Sequence, residues 1–518
     1  MAVAWLVRFL FLTLPFFASL CQGRLSSRPR RFVRHYHNGH HKGTGASDLI
    51  DRCRLEWYSA TLDHFSFSQH KKADESTFKL RYYICDEYYK KRGGSLFVYL
   101  GNEADVTLYL NNTGLMWESA ERHHAMLVFL EHRFYGKSKP YPARKLGNHM
   151  KYLTTEQAMA DYANIIHHLK ANVLEDVEVP VIGFGGSYGG MLCTYFRLKY
   201  PSLMDGAIAA SAPIWTYFGE GYDRGSFAKI VTHDASITNA HCAPNVRRSW
   251  DIMMNTFGTT KSGRDILGKT VKVCSALENE EDVKDLVDIF AESWDYLAMG
   301  NFPYESAYII DGEGMLPAYP VKAACEYLNE EFDSDEELVS ALAKAVGVYY
   351  NFSGSLSCYD IHAPPSSETE NFWSYQFCTE HFMPMERDGI HDMFYDQFFN
   401  TTAEIEACQN MWGVHPDTNR GLVEWQGKHI LEFLSNVVFS NGLLDPWSGG
   451  GVLQIPAELQ RRNNLRTVII PEGAHHLDLM FSNPKDPESV IHARRVENDM
   501  IASWIREKSM ITSSFSEQ

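Results

Sequence analysis

The hydrophobic pattern divides the chain into three stretches. In the first, short apolar runs alternate with amphipathic segments. Leu80–Cys85, Ser95–Leu100, Ala125–Glu131, Val179–Phe184 and Gly206–Ala210 are apolar runs of strand length, as strands covered on both faces require. Before the fourth, Thr154-Thr155-Glu156-Gln157 has the residue types of a capping box, and Met159, Tyr162, Ile165, Ile166, Leu169 and Val173 follow at helical spacing. This alternation predicts an α/β architecture built on a parallel sheet. From Trp215 to Gly427 helical spacing dominates, as in Glu336–Tyr349, and predicts a large helical insertion. The strand pattern resumes at Leu434–Ser440 and Arg466–Ile470, and an amphipathic helix over Pro487–Ile505 closes it. The expected layout is therefore sheet domain over 48–214, helical cap over 215–427, sheet domain again over 428–508, and a tail, 509–518.

The residues ahead of this body have a different character. Arg8 precedes the apolar run Phe9-Leu10-Phe11-Leu12-Thr13-Leu14-Pro15-Phe16-Phe17, and small and polar residues follow to Gly23. That is the form of a secretory signal peptide over 1–23. The run is too short for a stable membrane span. Residues 24–47 are basic, His-rich and poor in large apolar side chains, the composition of a disordered or propeptide segment. The formal net charge is −17. Because Arg24, Arg28, Arg30, Arg31, Arg34 and Lys42 all lie in that segment, the body is more acidic still, which excludes nucleic acid as a partner.

Secretion changes the meaning of the cysteines. There are 10, and Cys21 leaves with the leader. The remainder is odd in number, so an oxidising compartment pairs most of them and leaves at least one free. Cys193, in an apolar helical segment, is the expected free thiol. No Cys-x-x-Cys occurs, and no zinc site is expected. The sequons at Asn111, Asn351 and Asn400 suit a glycosylated protein of the secretory pathway, whether delivered to a lysosome or vacuole or released from the cell.

The candidate chemistry centres on Val181-Ile182-Gly183-Phe184-Gly185-Gly186-Ser187-Tyr188-Gly189-Gly190-Met191-Leu192. An apolar strand runs into Gly185-x-Ser187-x-Gly189, and a helical segment follows. A turn this sharp needs residues without side chains two before and two after its centre, and it presents the central serine at the sheet edge. The Tyr188 backbone N–H is left to bind an oxyanion, and the Asn102 N–H, after the strand ending at Leu100, is the expected second donor. Asp445 follows one of the later strands and His475 the next. Nucleophile, acid, histidine is the chain order of an α/β-hydrolase fold. His475 would take the serine's proton and return it to the leaving group, with Asp445 fixing its tautomer. Such chemistry needs no cofactor. The His475-His476 pair could serve a metal, but there is no His-Glu-x-x-His and no carboxylate at ligand spacing, and no metal is expected.

Gly185–Leu192, Asn441-Gly442-Leu443-Leu444-Asp445-Pro446-Trp447-Ser448-Gly449-Gly450-Gly451 and Gly473-Ala474-His475-His476-Leu477-Asp478-Leu479 together resemble the serine carboxypeptidase family S28. Asp63-His64-Phe65, Gly101-Asn102-Glu103, Glu131-His132-Arg133-Phe134-Tyr135-Gly136 and Trp373-Ser374-Tyr375-Gln376 match as well. The resemblance covers roughly Trp57 to Ile505. It implies an α/β-hydrolase domain with a helical cap, Ser187, Asp445 and His475 as the triad, and peptide substrates cut after proline. It implies the disulfides Cys242–Cys325, Cys274–Cys358 and Cys378–Cys408, leaving Cys53 and Cys85 as a further pair. Dimerisation is implied by the resemblance alone. Cys378-Thr379-Glu380-His381-Phe382-Met383-Pro384 and Trp447-Ser448 are similar to the carboxypeptidase branch, in which the counterparts of Met191, Met383 and Trp447 form the proline pocket. A flat aromatic wall and pliable thioethers suit a rigid apolar ring. One departure stands out: the family usually has Arg two residues after the Asp478 position, where this chain has Met480, so a charged partner beside His476 is missing.

The leading expectation is a peptidase that removes one residue after a penultimate proline. A dipeptidyl peptidase is the second, with Glu103 beside the oxyanion loop as its ammonium site. A non-catalytic adhesion or carrier protein on a hydrolase scaffold is the third, and the presence of all three triad residue types speaks against it.

Overall fold

The structure is a computed structural model. It describes residues 49–66, 76–91, 93–141, 146–217, 222–310, 314–362 and 368–516. The expected leader (1–23) and basic segment (24–47) lie outside the described residues.

Eight strands form one sheet: β1 (Arg54–Thr61), β2 (Thr77–Cys85), β3 (Ser95–Leu100), β4 (Ala125–Leu130), β5 (Val181–Gly186), β6 (Gly206–Ala210), β7 (Val437–Gly442) and β8 (Arg466–Ile470). Their order across the sheet is β1-β2-β4-β3-β5-β6-β7-β8. β2 runs antiparallel to β1 and β4, and β4, β3, β5, β6, β7 and β8 are mutually parallel. This is an α/β-hydrolase fold. Every residue of β3 to β7 is buried, which is why these strands read as unbroken apolar runs. β1 has no such run and is absent from the pattern-based expectation. It is an edge strand on which only Ala60 is buried, so polar residues and half-exposed aromatics are tolerated along it.

The helices that matter below are α1 (Thr155–His168), α2 (Tyr188–Lys199), α3 (Ser226–Thr238), α4 (Glu280–Met299), α5 (Asp335–Tyr350), α6 (Glu368–Thr379) and α7 (Glu488–Ser516). α3 to α6 all lie in the long connection between β6 and β7. α7 runs further than its amphipathic core suggests, so the expected tail is helical up to Ser516. Thr154 caps α1 by accepting from the Gln157 N–H. The Gln157 side chain does not reach back as the capping-box pattern predicts. It bonds Asp63 Oδ1 at 2.7 Å and the His64 N–H at 2.9 Å.

Two of the motifs that carried the resemblance are scaffold. Asp161 of α1 takes Arg133 Nε and Nη2, each at 2.7 Å, and His64 Nε2 at 2.7 Å. Glu131 receives Arg81, the Ser138 hydroxyl and the Val106 and Lys137 N–H groups. Both centres are fully buried, where each charge needs its partner. Among the described residues there are four disulfides: Cys53–Cys85, Cys242–Cys325, Cys274–Cys358 and Cys378–Cys408. The last three are the pairs the resemblance implied and the first is the pair that was left over, and Cys193 is free and buried in α2.

Candidate active site

The parallel sheet brings the ends of β5, β7 and β8 to one edge, with β6 between the first two, and the candidate residues stand at those ends. Ser187 follows β5 and precedes α2. Its backbone is at φ 60°, ψ −128°, a conformation costly for a residue with a Cβ. The strain is held from both sides: the Ser187 N–H donates to the Ala210 carbonyl at the end of β6, and its carbonyl accepts from Met191. The glycines that flank it are required by space. A Cβ on Gly185 would lie 2.1 Å from the Gly189 carbonyl oxygen, and one on Gly186 would lie 2.7 Å from His476 Cδ2. Ser187 is half-buried, whereas Asp445 and His475 are buried.

Asp445 follows β7 and His475 follows β8. His475 Nδ1 meets Asp445 Oδ2 at 2.9 Å, and Asp445 Oδ1 accepts from the Trp447 N–H at 3.1 Å. Both carboxylate oxygens are therefore used, one holding the imidazole and the other capping the turn that carries Trp447. His476 is adjacent: its N–H donates to Ser211 Oγ at 2.8 Å, and its ring lies 4.4 Å from that of His475 and edge-on to Tyr308. Its ring makes no hydrogen bond to another described residue. Burial, then the neighbouring His475, pushes its pKa well below the usual imidazole range, so it is neutral. Met480 is buried. The guanidinium near this turn comes instead from Arg494 of α7, which donates to the Leu477, Asp478 and Met480 carbonyls.

Tyr188 is the first residue of α2, where a helix leaves its N–H groups without internal acceptors. Asn102 follows β3, is buried, and is fixed through its side chain by Tyr99 (3.3 Å) and Glu103 Oε2 (2.8 Å). The Asn102 amide abuts the nucleophile helix, since a Cβ on Gly189 would lie 2.9 Å from its Oδ1. Glu103, considered above as an ammonium site, thus orients the loop carrying the second candidate oxyanion donor. Met191 and Met383 are buried in one large apolar cluster, and the half-buried Trp447 packs against that cluster and against the other one. At the sequons, Asn400 is exposed and Asn111 and Asn351 are half-buried.

Two residues of the insertion join the site without a sequence signal. Met299 ends α4. Its carbonyl accepts from the His475 N–H at 3.2 Å, and its Sδ accepts from Trp447 Nε1 at 3.1 Å. Asp234 of α3 is buried, and burial, with Asp445 adding in the same direction, raises its pKa to about 9. The Asn301 amide opposes the rise, and the carboxyl is protonated in acid. A methionine closing an amphipathic helix and an aspartate on another carry no spacing cue, since only the tertiary fold brings them to Asp445 and His475.

Fold and site together define a serine hydrolase with a helical insertion. The sequence profile of the serine carboxypeptidase S28 family matches residues 60–497. Human lysosomal Pro-X carboxypeptidase is 42% identical over 454 residues, 87% of this chain and 88% of that protein. Prolyl carboxy peptidase like protein 5 of Caenorhabditis elegans is 35% identical over 474 residues, 88% and 90% of the two chains. Among solved structures, an acetylester hydrolase from Corynebacterium glutamicum aligns at a TM-score of 0.39 and 9% identity, covering 88% of this chain and 98% of that one. The chain belongs to the serine carboxypeptidase S28 family. It is a serine exopeptidase, lysosomal or secreted.

Proposed function

We propose that the enzyme removes the C-terminal residue from peptides whose penultimate residue is proline. The observation that supports this best is the placement of Trp447 two residues after Asp445. The backbone N–H of Trp447 donates to Asp445 Oδ1 and its indole Nε1 donates to Met299 Sδ at the end of α4, so an apolar wall is built into the catalytic turn. Met191 lies one turn into the helix that Ser187 begins, and Met383 is buried in the same apolar cluster, against which Trp447 packs. A proline ring seated against these three would present its carbonyl to Ser187. The names of the human and nematode relatives agree with this reading.

In the proposed reaction His475 Nε2 takes the Ser187 proton as Oγ attacks the proline carbonyl, and the oxyanion is met by the Tyr188 and Asn102 N–H groups. His475 then passes the proton to the departing amine, and water releases the peptide from the acyl-enzyme by the same steps. Asp445 holds Nδ1 protonated throughout.

The test uses two peptides, one N-terminally blocked and one free, each with a single proline second from both ends, followed by mass spectrometry at pH ~5. Loss of one C-terminal residue from both, absent in Ser187→Ala, is the expected result. Release of an N-terminal dipeptide from the free peptide alone would overturn the proposal in favour of a dipeptidyl peptidase.

The Met299 contact gives a second expectation. Met299→Leu keeps apolar bulk but removes the acceptor for the indole N–H. A hydrogen bond of this kind is worth about 1 kcal/mol, so KM for a proline substrate should rise about 5-fold, with the loss in KM rather than kcat. An unchanged ratio of proline to alanine substrates would show that Met299 does not shape the pocket.

A further inference from the structure

A relay of buried hydrogen bonds runs beneath the nucleophile turn and is not used by the triad. The Tyr188 hydroxyl meets Thr155 Oγ1 at 2.9 Å, Gln376 Nε2 at 3.1 Å and His132 Nε2 at 3.2 Å. Thr155 Oγ1 in turn lies 3.0 Å from Glu380 Oε1, and the Thr155 N–H, the first of α1, donates to both Glu380 oxygens at 2.8 and 3.1 Å. Gln376 Nε2 donates to Glu380 Oε1 at 2.7 Å, and Gln376 Oε1 accepts from the Tyr135 hydroxyl at 2.5 Å. All these groups are buried. Gln376 and Glu380 come from the insertion, the others from the sheet domain. Glu380 is also three residues before Met383.

We propose that Glu380 is a positioning residue for the peptidase reaction: its carboxyl, brought in by the insertion, sets the direction of the relay through Thr155 to the Tyr188 hydroxyl, and so holds in place the residue that follows the nucleophile. The proposal rests on the peptidase reading of Ser187 and Tyr188.

The direction follows from the donors and acceptors. His132 Nδ1 lies 2.7 Å from the Arg133 carbonyl oxygen, so the ring proton is on Nδ1 and Nε2 is an acceptor. Burial holds the His132 pKa at about 4, which keeps it so. Tyr188 therefore donates to His132 and can accept from Thr155. A protonated Glu380 completes the series, donating to Thr155 Oγ1 so that the threonine hydroxyl donates onward to Tyr188. An ionised Glu380 has no proton to give. It draws the threonine hydroxyl to itself as a further donor, and Tyr188 loses one of its anchors.

Glu380 is placed to change state near neutrality. Burial first, then the charge of Glu156, raises its pKa to about 7. The other groups facing it do not mirror that change. Arg420 is paired with Glu156 at 2.5 Å and remains a cation. His381 Nε2, 3.5 Å from Glu380 Oε1 and 3.3 Å from Thr155 Oγ1, is held by burial at about 3 and is neutral, so it adds no charge to the relay at either state of Glu380. The Tyr188 and Tyr195 hydroxyls of α2 and that of Tyr375 of α6 are all raised by burial and stay protonated. The relay is therefore ordered toward Tyr188 in acid and loses that order as pH rises through about 7.

The test is the rate at which a fluorophosphonate labels Ser187 in the full-length protein between pH ~5 and ~8.5, because this readout needs no peptide specificity. In the parent, labelling should fall as pH rises through about 7. Glu380→Gln keeps the size and the polar ends but cannot ionise, and its profile should lack that fall. Thr155→Val breaks the relay while leaving the carboxyl, and should also flatten the fall; it carries the test if E380Q does not fold. The same basic limb in parent and both variants, or no limb in the parent, would overturn the proposal. Absence of labelling at every pH would instead overturn the assignment of Ser187, and this proposal with it. Thermal unfolding supplies a control. The carboxyl's pKa rises on folding, from 4.5 to about 7, so its contribution to stability is full below pH 4.5 and is lost as pH climbs through about 7. E380Q should show a shallower decline in Tm over that range.

Discussion

Asp445→Asn is expected to lower kcat by about 10⁴-fold while leaving the fold intact. The argument is one of donors and acceptors. Asp445 Oδ1 accepts from the Trp447 N–H and Oδ2 faces His475 Nδ1. In the asparagine variant the single carbonyl oxygen remains with Trp447, since the N–H needs an acceptor. The amide nitrogen then faces His475. Two N–H groups cannot face each other, so the imidazole proton moves to Nε2, the atom that must be bare to take the serine's proton. The fold should survive because the shape of the buried group is kept. Steady-state kinetics on a proline-containing peptide, beside a melting curve, checks both halves. A loss of less than about 10-fold would remove Asp445 from this role.

The largest expected effect on stability is at Asp161. Arg133 and Asp161 are each fully buried and share two hydrogen bonds of 2.7 Å. Asp161→Ala leaves the guanidinium in the interior without a carboxylate, facing the Thr61, Leu62 and Tyr152 carbonyls, Gln157 and the Phe78 ring. Breaking a buried pair from one side costs about 3–5 kcal/mol, and urea unfolding should show a lower midpoint. Adding Arg133→Leu should recover part of the loss, because no charge is then buried alone. A double variant less stable than D161A would show that the carbonyl contacts, and not the ion pair, hold this corner. Neither residue touches the triad, so activity per folded molecule should change little.

The residues most legible in the sequence were those under local compulsion. Ser187 can be found because its strained backbone forces glycines at fixed offsets. β3 and β6 are bounded correctly because burial on both faces admits little but apolar residues; β8, an edge strand with Ile469 exposed, is marked only by its Val468-Ile469-Ile470 run. Asp445 and His475 stand out because each follows an apolar run of strand length. β1 was missed for the opposite reason: an edge strand with one buried side chain needs no periodic signature. The capping-box pattern at Thr154 was half right, since tertiary bonds to Asp63 and His64 took the glutamine. Met299, Asp234 and Glu380 were not recognised as parts of the site because their partners are distant in sequence. No spacing rule links the end of α4 to His475, or Glu380 to Thr155.

β6 and β7 are adjacent in the sheet yet separated in the chain by the whole insertion, 211–436. A ribosome therefore delivers β6 long before the strand that closes its open edge, and the half-made sheet must be shielded until then. The same order has a protective side. Ser187 is made early, but Asp445 and His475 arrive only with the last two strands. On the proposed mechanism, a nascent or truncated polypeptide holds the serine without the groups that activate it, and proteolytic power appears only when the molecule has finished folding.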